Sequence, residues 1–357
     1  MIPDDLRPHD RDIYEQEIAP WLPARIYDCH VHVGLEQHCG PVSPERIKAN
    51  WAMEVGSAQS WEILQRRHRL LFPDREVCTL AFGGVFREID LEANNAYVLA
   101  GARDPANRAC GLMVTAPEWP ATRIEEGLAQ GFRGVKPYPD LAPMGSERAR
   151  IADFLPDHHV EVLNRHRGVL MLHLPRPGRL ADPANLEDLT ALADRYPGIR
   201  LIVAHVGRAF CLPTARKGLA PFVSRPNVHW DIAAHLNADV FRLVLETMGP
   251  DRLLYGSDLP ITIMRGEREH RGEMYINYTD APYSWNTNRK PPEVEARYTF
   301  FLYQELRALV QAVQACGMGR KEMAQIMFGN CARLVGSPPS PPGAGGFSPS
   351  APGRGLG

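Results

Sequence analysis

Two histidines, His30 and His32, are separated by a single residue in an apolar run near the start of the chain. Side chains alternate between the faces of a strand, so both imidazoles point to one side, with Asp28 one step further back. Two imidazoles on one side are a natural pair of ligands for a divalent metal ion. The spacing can also arise by chance in a chain with 13 histidines. The pair alone therefore does not distinguish metal ligands from a chance occurrence.

Three further ionisable residues each follow an apolar run and precede a turn. They are His173, His205 and Asp258. Barrel enzymes build their active sites at the C-terminal ends of the strands, which is where these residues would lie. Burying several unpaired ionisable groups together is costly unless a metal ion or mutual hydrogen bonds compensate. Together with the histidine pair, they predict a metal centre at one mouth of a barrel.

The elements that must position these residues are eight apolar runs without polar alternation. The runs centre near Ile26, Val77, Cys110, Phe132, Val169, Leu201, Val228 and Leu253. Such runs are typical of parallel strands covered on both faces, and their spacing of roughly 30 residues matches one βα unit. The sequence therefore predicts an α/β protein with a TIM (β/α)8 barrel, and a doubly wound sheet is the alternative.

Helix signals lie between and after these runs. We expect one helix to begin after its N-cap Asp90 and another to begin at Asp182-Pro183, with the proline at the first helical position. A helix over 120–130 would end at Gly131. Further helices are expected over 237–248, Pro292–Cys316 and Lys321–Leu334. The last two are extra C-terminal helices of a single barrel domain, residues 1–336. Residues 337–357 hold six Pro, six Gly and four Ser, which predicts a disordered tail.

Composition excludes several function classes. With 40 Lys plus Arg against 42 Asp plus Glu, the chain has no basic footprint for nucleic acid or for a membrane surface. Seven scattered cysteines without a CxxC pair argue against a disulfide scaffold and favour reduced thiols. The first residues show no signal-peptide pattern. We expect a cytoplasmic protein with a small-molecule substrate, and a homodimer is a further expectation.

The motifs around these residues resemble those of the amidohydrolase superfamily. The closest branch is the amidohydrolase-related group that includes aminocarboxymuconate-semialdehyde decarboxylase. The resemblance runs from about Ile26 to Leu334. It rests on Asp-Cys-His-Val-His at 28–32, Glu-Ala-Asn-Asn-Ala-Tyr at 92–97, Gly-Phe-Arg-Gly-Val-Lys-Pro-Tyr-Pro at 131–139, Ala-His-Val-Gly at 204–207, Tyr-Gly-Ser-Asp-Leu-Pro at 255–260 and Ile-Met-Phe-Gly-Asn-Cys-Ala-Arg-Leu at 326–334.

The resemblance implies a role for each of these residues. The ligands of one divalent metal ion would be His30, His32, His173 and Asp258. His205 would be a catalytic histidine beside the metal and would move a proton together with Asp258. Zinc is the leading choice for such a ligand set, and manganese, iron and cobalt stay open.

Lys136 has two interpretations. Binuclear relatives carry a carboxylated lysine between two metal ions at this point, whereas the branch most resembled has one metal. The alternative is a cationic lysine at the rim, paired with Asp140 or with a substrate carboxylate. The chain has Pro137-Tyr138 where Leu-His is frequent in this branch, so a ligand at that point is absent.

Arginines near strand ends are candidates for binding an anionic substrate. We expect Arg208 and Arg265 to do so together with Lys136, and Arg87 stands in a similar position. Residues 261–289 form a long insertion after the eighth run, rich in aromatic and amide side chains. We expect a lid over the substrate, and a contact between two copies is the alternative.

The function that follows is a metal-dependent hydrolase that uses a metal-activated water to cleave an amide, lactone or ester bond of a small anionic substrate. A metal-dependent nonoxidative decarboxylase of a small carboxylic acid is the first alternative. A noncatalytic barrel with a structural metal is the second, and the full set of ligand-type residues argues against it.

Overall fold

Parallel strands arranged in a ring form the centre of the protein. The computed structural model describes residues 5–56 and 58–339. All eight apolar runs form strands, and the third run is split in two at Leu112. The strands are β1 Arg25–His32, β2 Glu76–Phe82, β3 Ala109–Gly111, β4 Met113–Thr115, β5 Gly134–Pro137, β6 Val169–Leu172, β7 Arg200–Val203, β8 Val228–Asp231 and β9 Leu253–Leu254.

Hydrogen bonds continue the ring at the places where regular pairing stops. Strands β1, β2 and β3 pair in one parallel group, and β4 to β9 pair in sequence order in another. The backbone N–H of Arg133 donates to Gly111 O (2.9 Å), which joins the two groups on one side. On the other side, Cys29 N–H donates to Tyr255 O (3.0 Å) and His32 N–H donates to Leu259 O (2.9 Å). The first strand is thus bonded to the segment after the last, as the predicted barrel requires.

Helices surround the strands. They are α1 Pro8–Ile13, α2 Pro44–Ala49, α3 Trp51–Gly56, α4 Trp61–Leu71, α5 Leu91–Arg103, α6 Ala121–Gln130, α7 Asp157–His166, α8 Pro183–Arg195, α9 Leu212–Leu219, α10 Ala238–Met248, α11 Pro292–Glu295, α12 Phe301–Ala315, α13 Arg320–Ala324 and α14 Asn330–Val335. Asp90 caps α5 by accepting from Ala93 N–H (3.0 Å), and Gly131 ends α6 at φ 120°. These local signals were sufficient to predict where α5 begins and where α6 ends.

The prediction of one helix over Pro292–Cys316 was wrong. Two helices form instead, α11 and α12, and the chain between them is extended at Phe300 (ψ 142°). This segment bonds to the insertion: Gly266 N–H donates to Thr299 O (3.0 Å) and Phe301 N–H donates to Met264 O (2.9 Å). These bonds, made across more than 30 residues of sequence, replace the intrahelical bonds that the local pattern suggested. The helix expected over Lys321–Leu334 is present as α13 and α14, with a π-helical turn Gln325–Gly329 between them.

The insertion forms an antiparallel hairpin. Its strands are β10 Gly266–Arg271 and β11 Met274–Thr279. Most of the tail predicted to be disordered, residues 340–357, lies outside the described residues. Among the residues that are described, no helix is both long enough and apolar enough to cross a bilayer.

Candidate metal centre and active site

The C-terminal end of β1 brings His30 and His32 to the centre of the ring. His30 Nδ1–H donates to Oδ2 of Asp231 (3.0 Å), and His32 Nδ1–H donates to the carbonyl oxygen of Gly83 (3.1 Å). A carboxylate or carbonyl oxygen accepts, so each ring carries its proton on Nδ1 and leaves the Nε2 lone pair available. Fixing the tautomer through the other ring nitrogen is how proteins prepare histidines to ligate metals.

Asp258 faces both histidines from the segment after β9. Its Oδ1 lies 3.5 Å from Nε2 of His30 and 3.3 Å from Nε2 of His32. Ligands of a tetrahedral zinc ion, each about 2.1 Å from the metal, lie about 3.4 Å from one another. The two distances from Asp258 Oδ1 are therefore those expected between ligands of a zinc-sized ion. Asp258 has φ 58°, in the left-handed region, and its N–H donates to His30 O (2.8 Å).

His205 opens a left-handed turn after β7. Four consecutive residues have positive φ: His205 57°, Val206 48°, Gly207 63° and Arg208 61°. A left-handed conformation costs roughly 1–2 kcal/mol per L-residue, so the surrounding structure must hold this turn in place. Asp231 does so by accepting from His205 N–H (2.7 Å). The His205 ring is fixed as well, because its Nδ1–H donates to Ala233 O (2.7 Å).

The donor atoms of the five candidate residues do not all lie equally close to one another. One ligand atom each from His30, His205 and Asp258 lies within 4.8 Å of the other two. His32 approaches the group through Asp258. His173 lies beside His205, with ring centroids 5.3 Å apart, and its Nδ1 is buried without a hydrogen-bond partner among the described residues. The structure thus brings together all five residues selected from the sequence and places His205 at least as close to the candidate metal position as His173.

The surroundings shift the pKa values of the two buried acids, Asp258 and Asp231, in opposite directions. Burial alone would raise the pKa of Asp258, but the neighbouring imidazoles of His30 and His32 hold it below the ordinary value. Burial raises the pKa of Asp231, and His205 and Lys136 act in the opposite direction. Burial, and next the positive charge of Lys136, lowers the pKa of His30. The histidine is thereby kept neutral, as a metal ligand must be.

Lys136 lies inside the barrel on β5 and is fully buried. Its Nζ has no hydrogen-bond partner among the described residues and lies 4.8 Å from the ring centroid of Phe82. Burial lowers its pKa to about 8, opposed by Asp231 and Asp258. The pairing with Asp140 considered from the sequence is not formed, because Asp140 binds Arg46 and Arg87 instead.

A cavity of about 440 Å³ opens in front of these residues. His30, His32, His173, His205 and Asp258 all contribute to its wall. The hairpin of the insertion lines one side of the cavity through Arg268 and Tyr275, and its role as a substrate lid stays a prediction. The alternative role for the insertion, a contact between two copies, stays a prediction.

The three cations chosen for substrate binding have different locations. Arg208 lines the cavity and donates to Leu174 O (3.1 Å). Lys136 is not among the residues that line it. Arg265 is directed elsewhere: its Nη1 donates to both oxygens of Asp10 (2.7 and 2.6 Å), and both side chains are fully buried. We therefore leave Arg265 out of the proposed substrate site, since its guanidinium already has a buried carboxylate partner.

Sequence reasoning missed three residues of this site. Asp231 ends the strand Val-His-Trp-Asp, and that position at the end of a strand was a usable signal. Arg179 and Arg268 also line the cavity, yet they stand in segments without periodicity. Only the folded structure reveals that these two arginines face the same space.

Comparisons with solved structures show the same fold. An amidohydrolase from Burkholderia multivorans, solved with bound zinc, has 15% identity and a TM-score of 0.57, covering 88% of this chain and 100% of its own. Amidohydrolase 2 from Bifidobacterium longum subsp. infantis has 14% identity and a TM-score of 0.51, covering 88% and 100%. A 5-carboxyvanillate decarboxylase from Novosphingobium aromaticivorans, solved with bound manganese, has 14% identity and a TM-score of 0.51, covering 88% and 97%.

Sequence comparison identifies the family. No curated protein matches the chain. The sequence pattern that defines the amidohydrolase family, however, matches residues 27–336, which include every strand of the barrel after the first two residues of β1. The resemblance read from the motifs is thereby confirmed. A fold of parallel strands, histidines and an aspartate converging at one end of it, and this match along most of the sequence lead to one conclusion: the chain belongs to the amidohydrolase family.

Proposed function

We propose that this protein is a metal-dependent hydrolase that cleaves an amide, lactone or ester bond of a small anionic substrate. The proposal is carried by the position of Asp258 Oδ1, which lies 3.5 Å from His30 Nε2 and 3.3 Å from His32 Nε2 at the wall of a 440 Å³ cavity. One donor atom of His205 lies within 4.8 Å of those of His30 and Asp258. A structural metal site would be closed by protein ligands, whereas this one faces a space large enough for a small molecule.

The residues that would hold one divalent ion are His30, His32, His173 and Asp258. Zinc suits imidazole and carboxylate donors, and zinc and manganese are the ions bound in the Burkholderia multivorans and Novosphingobium aromaticivorans proteins. When bound, such an ion would activate water and polarise the bond to be cleaved.

His205 is the residue that we propose to move the proton. Its Nδ1–H is committed to Ala233 O, so Nε2 is the nitrogen that can accept a proton from water or give one to a leaving group. General acid–base catalysis of this kind typically contributes about 10²–10⁴ in rate. Arg208, in the cavity wall, would bind the anionic group of the substrate, and Lys136 would add positive charge from behind the wall.

A nonoxidative decarboxylase is the second candidate. The guanidinium of Arg208 is close enough to His173 to lower, after burial, the pKa of that imidazole. An arginine so near the candidate ligands could hold a substrate carboxylate beside the metal, which decarboxylation requires. The same ligand set would serve either reaction.

The test combines metal analysis with two assays. We expect the purified protein to contain about one divalent ion per chain, and H30A/H32A to fold but lose it. The exposed His158, changed to Ala, is the matched control and should keep the metal. A panel of amides, lactones and esters is then scored for hydrolysis, and a panel of small carboxylic acids for CO₂ release. Hydrolysis supports the proposal, and CO₂ release alone replaces it with the second candidate. Absence of bound metal after supplementation overturns both.

A further inference from the structure

Three guanidinium groups line one part of the cavity without a carboxylate partner. Arg179 comes from the loop after β6, Arg208 from the turn after β7 and Arg268 from β10. Within the part of the chain that the structure describes, none of the three forms an ion pair with Asp or Glu. Half-buried arginines without a counter-charge are costly to keep together, because each has lost part of its hydration.

Neutral groups hold these arginines in place. The guanidinium carbons of Arg179 and Arg268 lie 5.3 and 4.8 Å from the centroid of the Phe210 ring, and 5.0 and 4.7 Å from that of Tyr275. Arg208 donates to a backbone carbonyl, Leu174 O, and Arg268 donates to Ala234 O (2.9 Å). Aromatic faces and carbonyl oxygens orient a guanidinium and leave its full charge uncompensated.

The acids that line the cavity do not neutralise this cluster. Asp140 is already bound by Arg46 and Arg87. Glu147 is exposed to solvent, and Asp258 faces His30 and His32. The one other arginine in the wall, Arg176, is paired with Asp182 (3.1 Å).

The three guanidiniums also repel one another. Burial and next the charge of Arg179 lower the pKa of Arg208, and burial together with Arg179 lowers that of Arg268 to about 10. Three separate segments of the chain therefore bring like charges together without a carboxylate to compensate them. A bound anion would compensate these positive charges through charge-assisted hydrogen bonds.

We propose that Arg179, Arg208 and Arg268 form a subsite for an oxyanion group, a carboxylate or a phosphate, that the substrate carries apart from the bond at the metal centre. This inference rests on the proposed function for the reacting end of the substrate, whereas the subsite itself depends only on the arginines. Guanidiniums that donate pairs of parallel N–H bonds match both groups. The substrate would then span the cavity, with one end held by the arginines and the other presented to His30, Asp258 and His205.

The experiment measures anion binding in the absence of metal. Benzoate and inorganic phosphate are titrated separately into metal-stripped full-length protein by isothermal titration calorimetry, and circular dichroism checks that the fold persists. We expect at least one of them to bind, and R179M to weaken that binding about 10- to 100-fold, the effect of losing hydrogen bonds to a charged group. The tighter ligand identifies the group as a carboxylate or a phosphate. R271M is the matched control, because Arg271 is exposed on the hairpin that carries Arg268 and pairs with Glu269.

Each outcome decides the proposal. Binding that is weakened by R179M and unchanged by R271M supports it. Absence of binding to the metal-stripped protein, or equal effects of the two variants, overturns it. If R179M does not fold, R268M takes its place under the same criteria. A chain that never holds metal would refute the proposed hydrolase, and the titration would still decide whether the arginines bind an anion.

Discussion

The carboxylate of Asp231 accepts a hydrogen bond from Nδ1 of His30 at 3.0 Å, with both side chains buried inside the barrel. The other oxygen of the same carboxylate accepts from the backbone of His205 at 2.7 Å. One acid at the end of β8 thus orients a ligand on β1 and holds the strained turn that presents His205. We therefore regard Asp231 as a positioning residue for the whole candidate centre.

The first prediction tests this role. Replacing Asp231 by Asn removes the anion that fixes the His30 tautomer, so metal affinity should fall roughly 10–100-fold, the usual effect of losing such a partner. Competition with a chromophoric chelator measures it. Asp239 is exposed on α10, and D239N should behave like the wild type. Unchanged affinity in D231N would show that His30 is held by its packing alone.

The second prediction separates one metal ion from two. If His205 acts on the substrate, H205A should keep about one ion per chain and lose about 10²–10⁴ in turnover. If His205 is a ligand, as its closeness to His30 and Asp258 also permits, H205A should lose metal. Elemental analysis of H205A and K136A, with and without bicarbonate, distinguishes the cases. Two ions in the wild type that fall toward one in K136A would indicate a carboxylated lysine.

The third prediction concerns Arg265, which stabilises the fold through Asp10. The pair is fully buried, with Nη1 2.6 Å from Oδ2, and Thr299 donates to the same carboxylate (2.7 Å). R265M leaves that charge buried without its partner, which typically costs about 3–5 kcal/mol. Urea unfolding should show this loss, while R271M stays near the wild type. A stable R265M with a raised KM would instead return Arg265 to the substrate site.

The fourth prediction follows from a buried histidine on β8. Burial, with the charges of Arg252 and Arg333, lowers the pKa of His229 to about 4. Between pH 6.5 and 4 the unfolded chain takes up a proton at this residue and the folded chain does not, so stability falls as the pH falls. The loss is up to roughly 3 kcal/mol.

The measurement compares denaturant unfolding of H229N and the wild type at pH 7 and pH 4.5. The variant should lose less stability on acidification than the wild type does. H166N, at an exposed position on α7, should follow the wild type. Identical pH dependence in H229N and the wild type would contradict the predicted neutral state of His229.

The sequence by itself determined the barrel and the ligand-type residues of its centre. Apolar runs without alternation require burial on both faces, and that requirement is local to each strand. The position of His30, His32, His173, His205 and Asp258 at strand ends follows from the same pattern. Caps such as Asp90 act within one turn of helix, so they too can be recognised from neighbouring residues.

Only the tertiary structure decided which cations face the cavity. Arg265 and Arg268 lie three residues apart in one segment, yet the first pairs with Asp10 and the second lines the cavity beside Phe210. The extended chain at Phe300 pairs with this segment at Arg265, directly before the hairpin begins. A side chain's partner across more than 250 residues depends on the packing of the whole fold, because the interaction energy exists only once those distant segments meet.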